Sequence, residues 1–128
     1  MTKILVIDDD GAIRQLLKLI LENEGFQVFE AEDGVEGLRV LENEVVDLVI
    51  TDVLMPEKDG LAVIKELQKT HPTMRVIALS GGGMTLSAET SLFVARRMGA
   101  FESLAKPFTK DEVLHLVNKV LANGSSAG

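Results

Sequence analysis

Cysteine, tryptophan and tyrosine are all absent from this sequence of 128 residues. Without cysteine the chain has neither a disulfide framework nor a thiolate metal site. Such a composition is compatible with a reducing compartment, so the cytoplasm is the expected location.

Long hydrophobic runs are missing as well. No stretch reaches the roughly 18 apolar residues of a membrane span, and the first apolar run, Ile4 to Ile7, is too short for the core of a signal peptide.

Basic residues are outnumbered, since 13 Lys and Arg face 20 Asp and Glu and give a net charge of -7. This balance argues against direct binding to nucleic acid or to a membrane, and it favours a cation or a basic partner.

The length indicates a single domain. A chain of 128 residues buries about two-thirds of its unfolded surface in one core. The expected domain covers residues 1–122, and residues 123–128 are predicted to form a flexible tail.

Five apolar runs bounded by turn residues predict five strands. The run that ends at Asp52 is rich in β-branched residues, which is typical of a strand buried on both faces of a parallel sheet. The predicted strands are Ile4 to Ile7, Val28 to Phe29, Val45 to Asp52, Arg75 to Leu79 and Ala100 to Leu104.

Segments with helical periodicity lie between and after these runs and predict five helices. Asp10 is expected to cap the first helix and Gly25 to end it, while Thr109 begins the last with a capping box to Glu112. The fourth helix is expected at about Ser87 to Met98. The apolar stripes are Ile13, Leu16, Leu17, Ile20 and Leu21 in the first helix, Val35, Leu38 and Leu41 in the second, Leu61, Ile64 and Leu67 in the third, and Val113, Leu116, Val117, Val120 and Leu121 in the last.

Alternating strands and helices with right-handed crossovers predict an α/β fold, a doubly wound five-stranded parallel sheet of flavodoxin-like order 2-1-3-4-5. In this topology the carboxyl ends of strands one and three meet at the switch point, where ligands bind. Asp8 and Asp9 follow strand one and Asp52 ends strand three, so these three carboxylates are expected to converge.

A carboxylate cluster repels itself unless a cation is bound, and hard oxygen ligands with retained waters suit Mg²⁺. The expected ligands are Asp9, Asp52 and the carbonyl oxygen of Leu54, with Asp8 acting through water. An aspartate can also carry a phosphoryl group, and Asp52 is the candidate nucleophile.

Two further polar residues follow the later strands. Ser80 ends strand four, and its hydroxyl can donate to a phosphoryl oxygen, while Lys106 follows strand five and brings a compact cation for the same group. The sequence leaves open whether the bond between Lys106 and Pro107 is cis or trans.

An ordered set of motifs covers essentially the whole chain: Ile7 to Asp10, Asp52 with Met55-Pro56 and Asp59-Gly60, Ala78 to Gly81, Gly99-Ala100, and Lys106 to Phe108. Together these motifs resemble the response-regulator receiver domain of two-component signalling. The resemblance implies that Asp52 accepts phosphate from a histidine kinase or a phosphotransfer protein, that Asp8 and Asp9 organise Mg²⁺, and that Ser80 and Lys106 contact the phosphoryl group. A downstream protein of unknown identity would then be bound or released.

The sequence departs from the family pattern in two places. Ser103 stands where the family usually has an aromatic residue, three positions before the lysine, so no ring rotates there on activation. The segment from Ser80 to Gly99 is several residues longer than usual and contains a run of three glycines. Switching is therefore expected to run through the Ser80 to Ser87 loop.

Two other functions are compatible with parts of the pattern. A haloacid-dehalogenase-like phosphatase would use Asp8 as its nucleophile, but it leaves Asp52 without a role and lacks an acidic pair after Lys106. A degenerate receiver would bind partners without phosphate, although the phosphate-handling residues are all present. Identifying the labelled aspartate separates the three functions.

Slow loss of the phosphoryl group is predicted from two positions. Leu54 lies two residues past Asp52 and Gly82 two residues past Ser80, and neither side chain can orient an attacking water. The variants Leu54→Asn and Gly82→Glu should therefore lose phosphate faster than the parent chain, as measured by the decay of the phosphorylated species. Equal decay rates would show that water positioning is not limiting.

Overall fold

A five-stranded sheet forms the centre of the computed structural model, which describes residues 2–52, 65–67, 69–71, 73–80 and 102–127. Its strands are β1 (Lys3–Ile7), β2 (Gln27–Ala31), β3 (Leu48–Asp52), β4 (Arg75–Ser80) and β5 (Glu102–Ala105). All neighbouring strands are parallel, and their order is β2-β1-β3-β4-β5. The predicted fold class and strand order are confirmed.

Helices follow the strands in the described part of the chain: α1 (Gly11–Asn23), α2 (Gly34–Asn43) and α3 (Lys110–Ala127). Residues 65–67 and 69–70 are also helical and belong to the predicted third helix. The predicted helix at 87–98 lies outside the described residues. The helix α3 continues through most of residues 123–128, and the domain boundary at 122 stays a prediction. None of the helices described is long and apolar enough to cross a membrane.

Both faces of the central strands are buried. Leu5 and Ile7 of β1 pack in one core cluster with Leu41 of α2, whereas Ile4 and Val6 pack in a second cluster on the other face. Successive side chains of a strand point to opposite faces, so a continuous apolar run fills both clusters. The second cluster includes Leu17, Ile20 and Leu21 of α1 and Val113, Val117 and Val120 of α3.

The helix ends follow the predicted capping chemistry. The Asp10 carboxylate accepts hydrogen bonds from the backbone nitrogens of the first turn of α1, and Gly25 ends that helix with φ 91°. At the start of α3, the backbone N–H of Thr109 donates to Glu112 Oε1 at 2.8 Å, and the N–H of Glu112 donates to Thr109 Oγ1 at 3.1 Å. The predicted capping box is therefore confirmed.

The structure differs from the sequence prediction at several apolar residues. The third strand begins at Leu48 and not at Val45, whose exposed fraction is 81%. Val46 precedes the strand but is buried, because it packs in the core cluster that contains Leu5 and Ile7. The helical periodicity predicts that Leu16 and Val35 face the core, yet their exposed fractions are 42% and 53%. Each lies on the flank of its helix, beside the buried face.

Gly37 sets how closely α2 approaches β1. A Cβ atom at this position would overlap Ile7 Cδ1 and lie 2.9 Å from Ile7 Cγ1. Gly37→Ala should lower the free energy of unfolding by about 1–2 kcal/mol, because overpacking a buried site outweighs the better helix propensity of alanine. Urea denaturation measures the change.

Gly11→Ala is the matched control for this helix-glycine substitution. A Cβ at Gly11 would meet only Arg14 Nη2, at an ordinary 3.6 Å. Its stability should stay the same or rise slightly. If Gly37→Ala is as stable as the control, the Ile7 side chain can move aside without loss of stability. The close approach of α2 to β1 would then not require glycine.

Candidate functional site

The register of the central strands brings two acidic ends together. Ile7 of β1 pairs with Thr51 of β3, so the residues that follow them, Asp8 and Asp52, lie next to each other at the carboxyl edge of the sheet. This edge is the crevice in which open α/β sheets bind ligands. The fold therefore creates the juxtaposition that the sequence predicts.

Strands β4 and β5 bring a cation to the same edge. Ser80, the last residue of β4, pairs with Ala105, the last residue of β5, and Lys106 follows directly. The bond between Lys106 and Pro107 is cis. The Ser80 hydroxyl lies outside the described part of the structure, so its predicted contact with a phosphoryl group stays a prediction.

Three carboxylates form a cluster at this edge. One oxygen each of Asp8, Asp9 and Asp52 lies within 4.8 Å of the others. Asp8 is completely buried and Asp52 is 5% exposed, whereas Asp9 is exposed to solvent. An oxygen cluster that is open to water on one side suits a hydrated divalent cation such as Mg²⁺. The Leu54 carbonyl, the fourth predicted ligand, lies outside the described residues.

Lys106 contacts both buried carboxylates. Its Nζ donates to Asp8 Oδ2 at 2.8 Å and to Asp52 Oδ2 at 2.9 Å. Burial lowers the pKa of Lys106, but the hydrogen bonds to Asp8 and Asp52 and the attraction of their charges outweigh it, so the pKa lies above its ordinary value of 10.5. The side chain is therefore an ammonium cation at neutral pH.

Every polar group of Asp8 has a partner in the described structure. Its N–H donates to the Ala31 carbonyl at 3.1 Å, and its Oδ1 accepts from the Asp10 N–H at 2.9 Å. Its carbonyl oxygen accepts from Arg14 Nη1 at 2.6 Å. Arg14 was not identified from the sequence, because a lone arginine in a helix is usually a solvated surface charge. The one indication in the sequence is that Arg14 lies about one helical turn after the acidic run from Asp8 to Asp10.

Known proteins share both this sequence pattern and this fold. A family model for the response regulator receiver domain matches residues 4–118. The transcriptional regulatory protein GlrR of Escherichia coli (strain K12) is 41% identical over 124 residues, which are 97% of this chain and 27% of that protein. The chain thus spans about a quarter of that relative's length. Sporulation initiation phosphotransferase F of Bacillus subtilis (strain 168) is 34% identical over 119 residues, covering 93% of each protein.

Solved structures agree with these relatives. The receiver domain protein from Clostridium thermocellum matches with a TM-score of 0.89 and 37% identity, over 100% of both chains. A CheY-like receiver domain protein from Methanospirillum hungatei JF-1 matches with a TM-score of 0.90 and 29% identity, over 100% of this chain and 99% of the other. The chain therefore belongs to the receiver-domain family of two-component response regulators.

Proposed function

We propose that Asp52 accepts a phosphoryl group from a phosphohistidine of a histidine kinase or a phosphotransfer protein, and that the modified domain then changes its affinity for a downstream protein. The observation that carries this proposal is the placement of Asp52 at the sheet edge, 2.9 Å from Lys106 Nζ and within a carboxylate cluster. Receiver domains act as signalling modules, and this arrangement supplies the chemistry that such a module needs.

The transfer step is a substitution at phosphorus. A carboxylate oxygen of Asp52 forms a bond to phosphorus while the phosphorus–nitrogen bond of the donor breaks, and the electron pair of that bond returns to the imidazole. A bound Mg²⁺ would neutralise charge on the entering phosphoryl oxygens. Lys106 provides a second positive charge at the same place, since its ammonium already lies beside the Asp52 carboxylate.

The remaining roles are assigned by position. Asp9, Asp52 and the Leu54 carbonyl would hold the cation, and Asp8 would act through water. Ser80, at the end of β4, would donate its hydroxyl to a phosphoryl oxygen. Acidic or polar residues at the ends of β1, β3 and β4, together with Mg²⁺ and the Lys106 ammonium, would thus surround a single phosphoryl group.

The phosphatase alternative loses its support at Asp8. This residue is completely buried, and its two carboxylate oxygens accept hydrogen bonds from the Asp10 N–H and from Lys106 Nζ. A completely buried carboxylate offers no surface to a substrate that arrives from solvent. Membership of the receiver family is independent support for the receiver function over the phosphatase interpretation.

Partner exchange is proposed to run through residues 80–87, which lie largely outside the described part of the chain. Ser103 of β5 supports this proposal, because it pairs with Ala78 where a bulky ring would otherwise transmit the change. Direct binding to nucleic acid or to a membrane is not part of the proposal, given the net charge of -7.

Phosphorylation of Asp52 is the first test. Incubation with a small phosphodonor and Mg²⁺ should modify Asp52 alone, because it lies in the carboxylate cluster beside the Lys106 ammonium and, unlike Asp8, is not completely buried. Peptide mass mapping after trapping of the acyl phosphate locates the group. Asp52→Asn should stay unmodified under the same conditions.

Two outcomes would contradict the assignment. Phosphate on Asp8 would revive the phosphatase mechanism, and a chain that stays unmodified with every donor would indicate a receiver that binds partners without phosphate. A pull-down with and without beryllofluoride, which mimics the phosphoryl group, then identifies the partner that responds to modification.

Removal of Lys106 should make folding depend on Mg²⁺. In Lys106→Met the buried carboxylates of Asp8 and Asp52 lose their counter-charge, so the free energy of unfolding without Mg²⁺ should fall by about 3 kcal/mol. Added Mg²⁺ should restore much of this loss, because it binds the folded cluster and no longer competes with an ammonium group. Urea denaturation with and without Mg²⁺ measures both effects.

Lys119→Met provides the control for a lost lysine. Lys119 pairs with Glu102 at 3.2 Å, and its side chain is 48% exposed. Such a surface pair contributes about 0–1 kcal/mol, and its loss should show no dependence on Mg²⁺. If Lys106→Met resembles this control, the ammonium does not stabilise the carboxylate cluster.

A further inference from the structure

A guanidinium group outside the carboxylate cluster holds the backbone that carries two of its members. Arg14 of α1 folds back over the start of its own helix, where its Nη1 donates to the carbonyl oxygen of Asp8 at 2.6 Å. The same guanidinium lies over Gly11, whose added Cβ would meet Arg14 Nη2 at 3.6 Å. A short bond from a charged donor is among the stronger hydrogen bonds in proteins.

The carbonyl that Arg14 contacts belongs to the peptide group between Asp8 and Asp9. A peptide group is planar, so fixing its oxygen also fixes the nitrogen and the Cα of Asp9. The other polar atoms of Asp8 are held by Ala31, Asp10 and Lys106. In contrast, the carboxylate of Asp9 is exposed, so its direction depends largely on the peptide behind it.

Arg14 is itself held from the neighbouring edge strand. Its Nε lies 3.5 Å from Glu30 Oε1, and Lys18 Nζ lies 3.5 Å from Glu30 Oε2. Arg14 and Glu30 are only 20% and 25% exposed, so this pair is shielded more than an ordinary surface ion pair. The planar guanidinium can serve Glu30 and the Asp8 carbonyl at once, which a lysine ammonium does with poorer geometry.

We infer that Arg14 is a positioning residue for the proposed Mg²⁺ site: it fixes the peptide between Asp8 and Asp9 and thereby presents the Asp9 carboxylate to the cation. This inference rests on the proposed function, since it assigns a role toward the cation of that site. Groups that orient metal ligands from behind typically alter metal affinity by about 10–100-fold when they are removed.

The alternative to positioning is a purely electrostatic effect, and it has the opposite sign. Arg14 brings a positive charge close to a site for a cation, so charge alone predicts tighter Mg²⁺ binding once the residue is neutralised. Positioning predicts weaker binding. The direction of the change therefore separates the two effects, whatever its size.

Calorimetric titration of Mg²⁺ into Arg14→Met and Lys18→Met gives this test. Both substitutions remove one positive charge that pairs with Glu30, but only Arg14 contacts the Asp8 carbonyl. Arg14→Met should weaken Mg²⁺ binding by about tenfold. Lys18→Met should bind Mg²⁺ as tightly as the parent chain or more tightly.

Phosphorylation kinetics add a readout that a general loss of structure would not produce. With Arg14→Met, the rate of Asp52 labelling by a small phosphodonor should need more Mg²⁺ but reach the parental value at saturation. This split is expected because Asp52 belongs to β3 and its carboxylate is held by Lys106, whereas Arg14 holds the peptide group that follows β1. A lowered rate at saturating Mg²⁺ would overturn a role confined to cation binding.

Arg14→Lys keeps the inference testable if Arg14→Met is too unstable to titrate. It preserves the charge and removes the planar fork, so positioning predicts Mg²⁺ binding weakened by roughly threefold or more. Unchanged or tighter binding in the Arg14 variants would overturn the inference. Failure of the parent chain to bind Mg²⁺ or to be labelled at Asp52 would instead defeat the proposed function.

Discussion

The carboxyl edge of the sheet depends on one electrostatic constraint: two carboxylates removed from water share a single ammonium group. Asp8 is completely buried and Asp52 is 5% exposed, so water does little to screen the charge of either carboxylate. Like charges at this separation repel each other strongly in a poorly polarisable interior. Lys106 bridges them with bonds of 2.8 and 2.9 Å, and its charge makes the close approach of β1 and β3 ends tolerable.

Among the described residues of the carboxylate cluster, Asp9 is the one that reaches solvent. Asp8 directly follows β1 and is buried under the edge, whereas Asp9 lies in the bend that comes next and is exposed to water. The buried carboxylates hold the ammonium from within, and the exposed one leaves a path for a hydrated cation. Because Mg²⁺ retains several waters when it binds, a cluster that is half open suits it better than a closed cage.

The fold could be predicted well from the sequence because parallel strands that are buried on both faces form continuous apolar runs. The runs at β1 and β3 are apolar on both faces, and their residues fill both core clusters. Errors arose where apolar residues serve other purposes: Val45 precedes its strand and is 81% exposed, and Leu16 lies on the flank of α1. At the end of a strand or on the flank of a helix, the identity of an apolar residue does not reveal whether its side chain faces the core or the solvent.

The candidate site was predictable to the extent that strand ends determine it. Asp8, Asp9, Asp52 and Lys106 follow or end strands, so sheet topology alone brings them together. Arg14 could not be found in this way, since its contact is with a backbone carbonyl and leaves no pattern of side-chain types. Only the folded geometry of the turn between β1 and α1 reveals that an arginine reaches it.

Two basic residues therefore serve the acidic edge in different ways. Lys106 binds carboxylate oxygens, and one of its partners is the proposed acceptor Asp52, so a phosphoryl group placed there would compete for the ammonium. Arg14 binds a peptide oxygen that phosphorylation would leave unchanged. A conformational equilibrium responds only to interactions that differ between its two states. If Asp52 is phosphorylated as proposed, the lysine can contribute to switching because its partners change, whereas the contact of Arg14 with the Asp8 carbonyl does not involve the modified group.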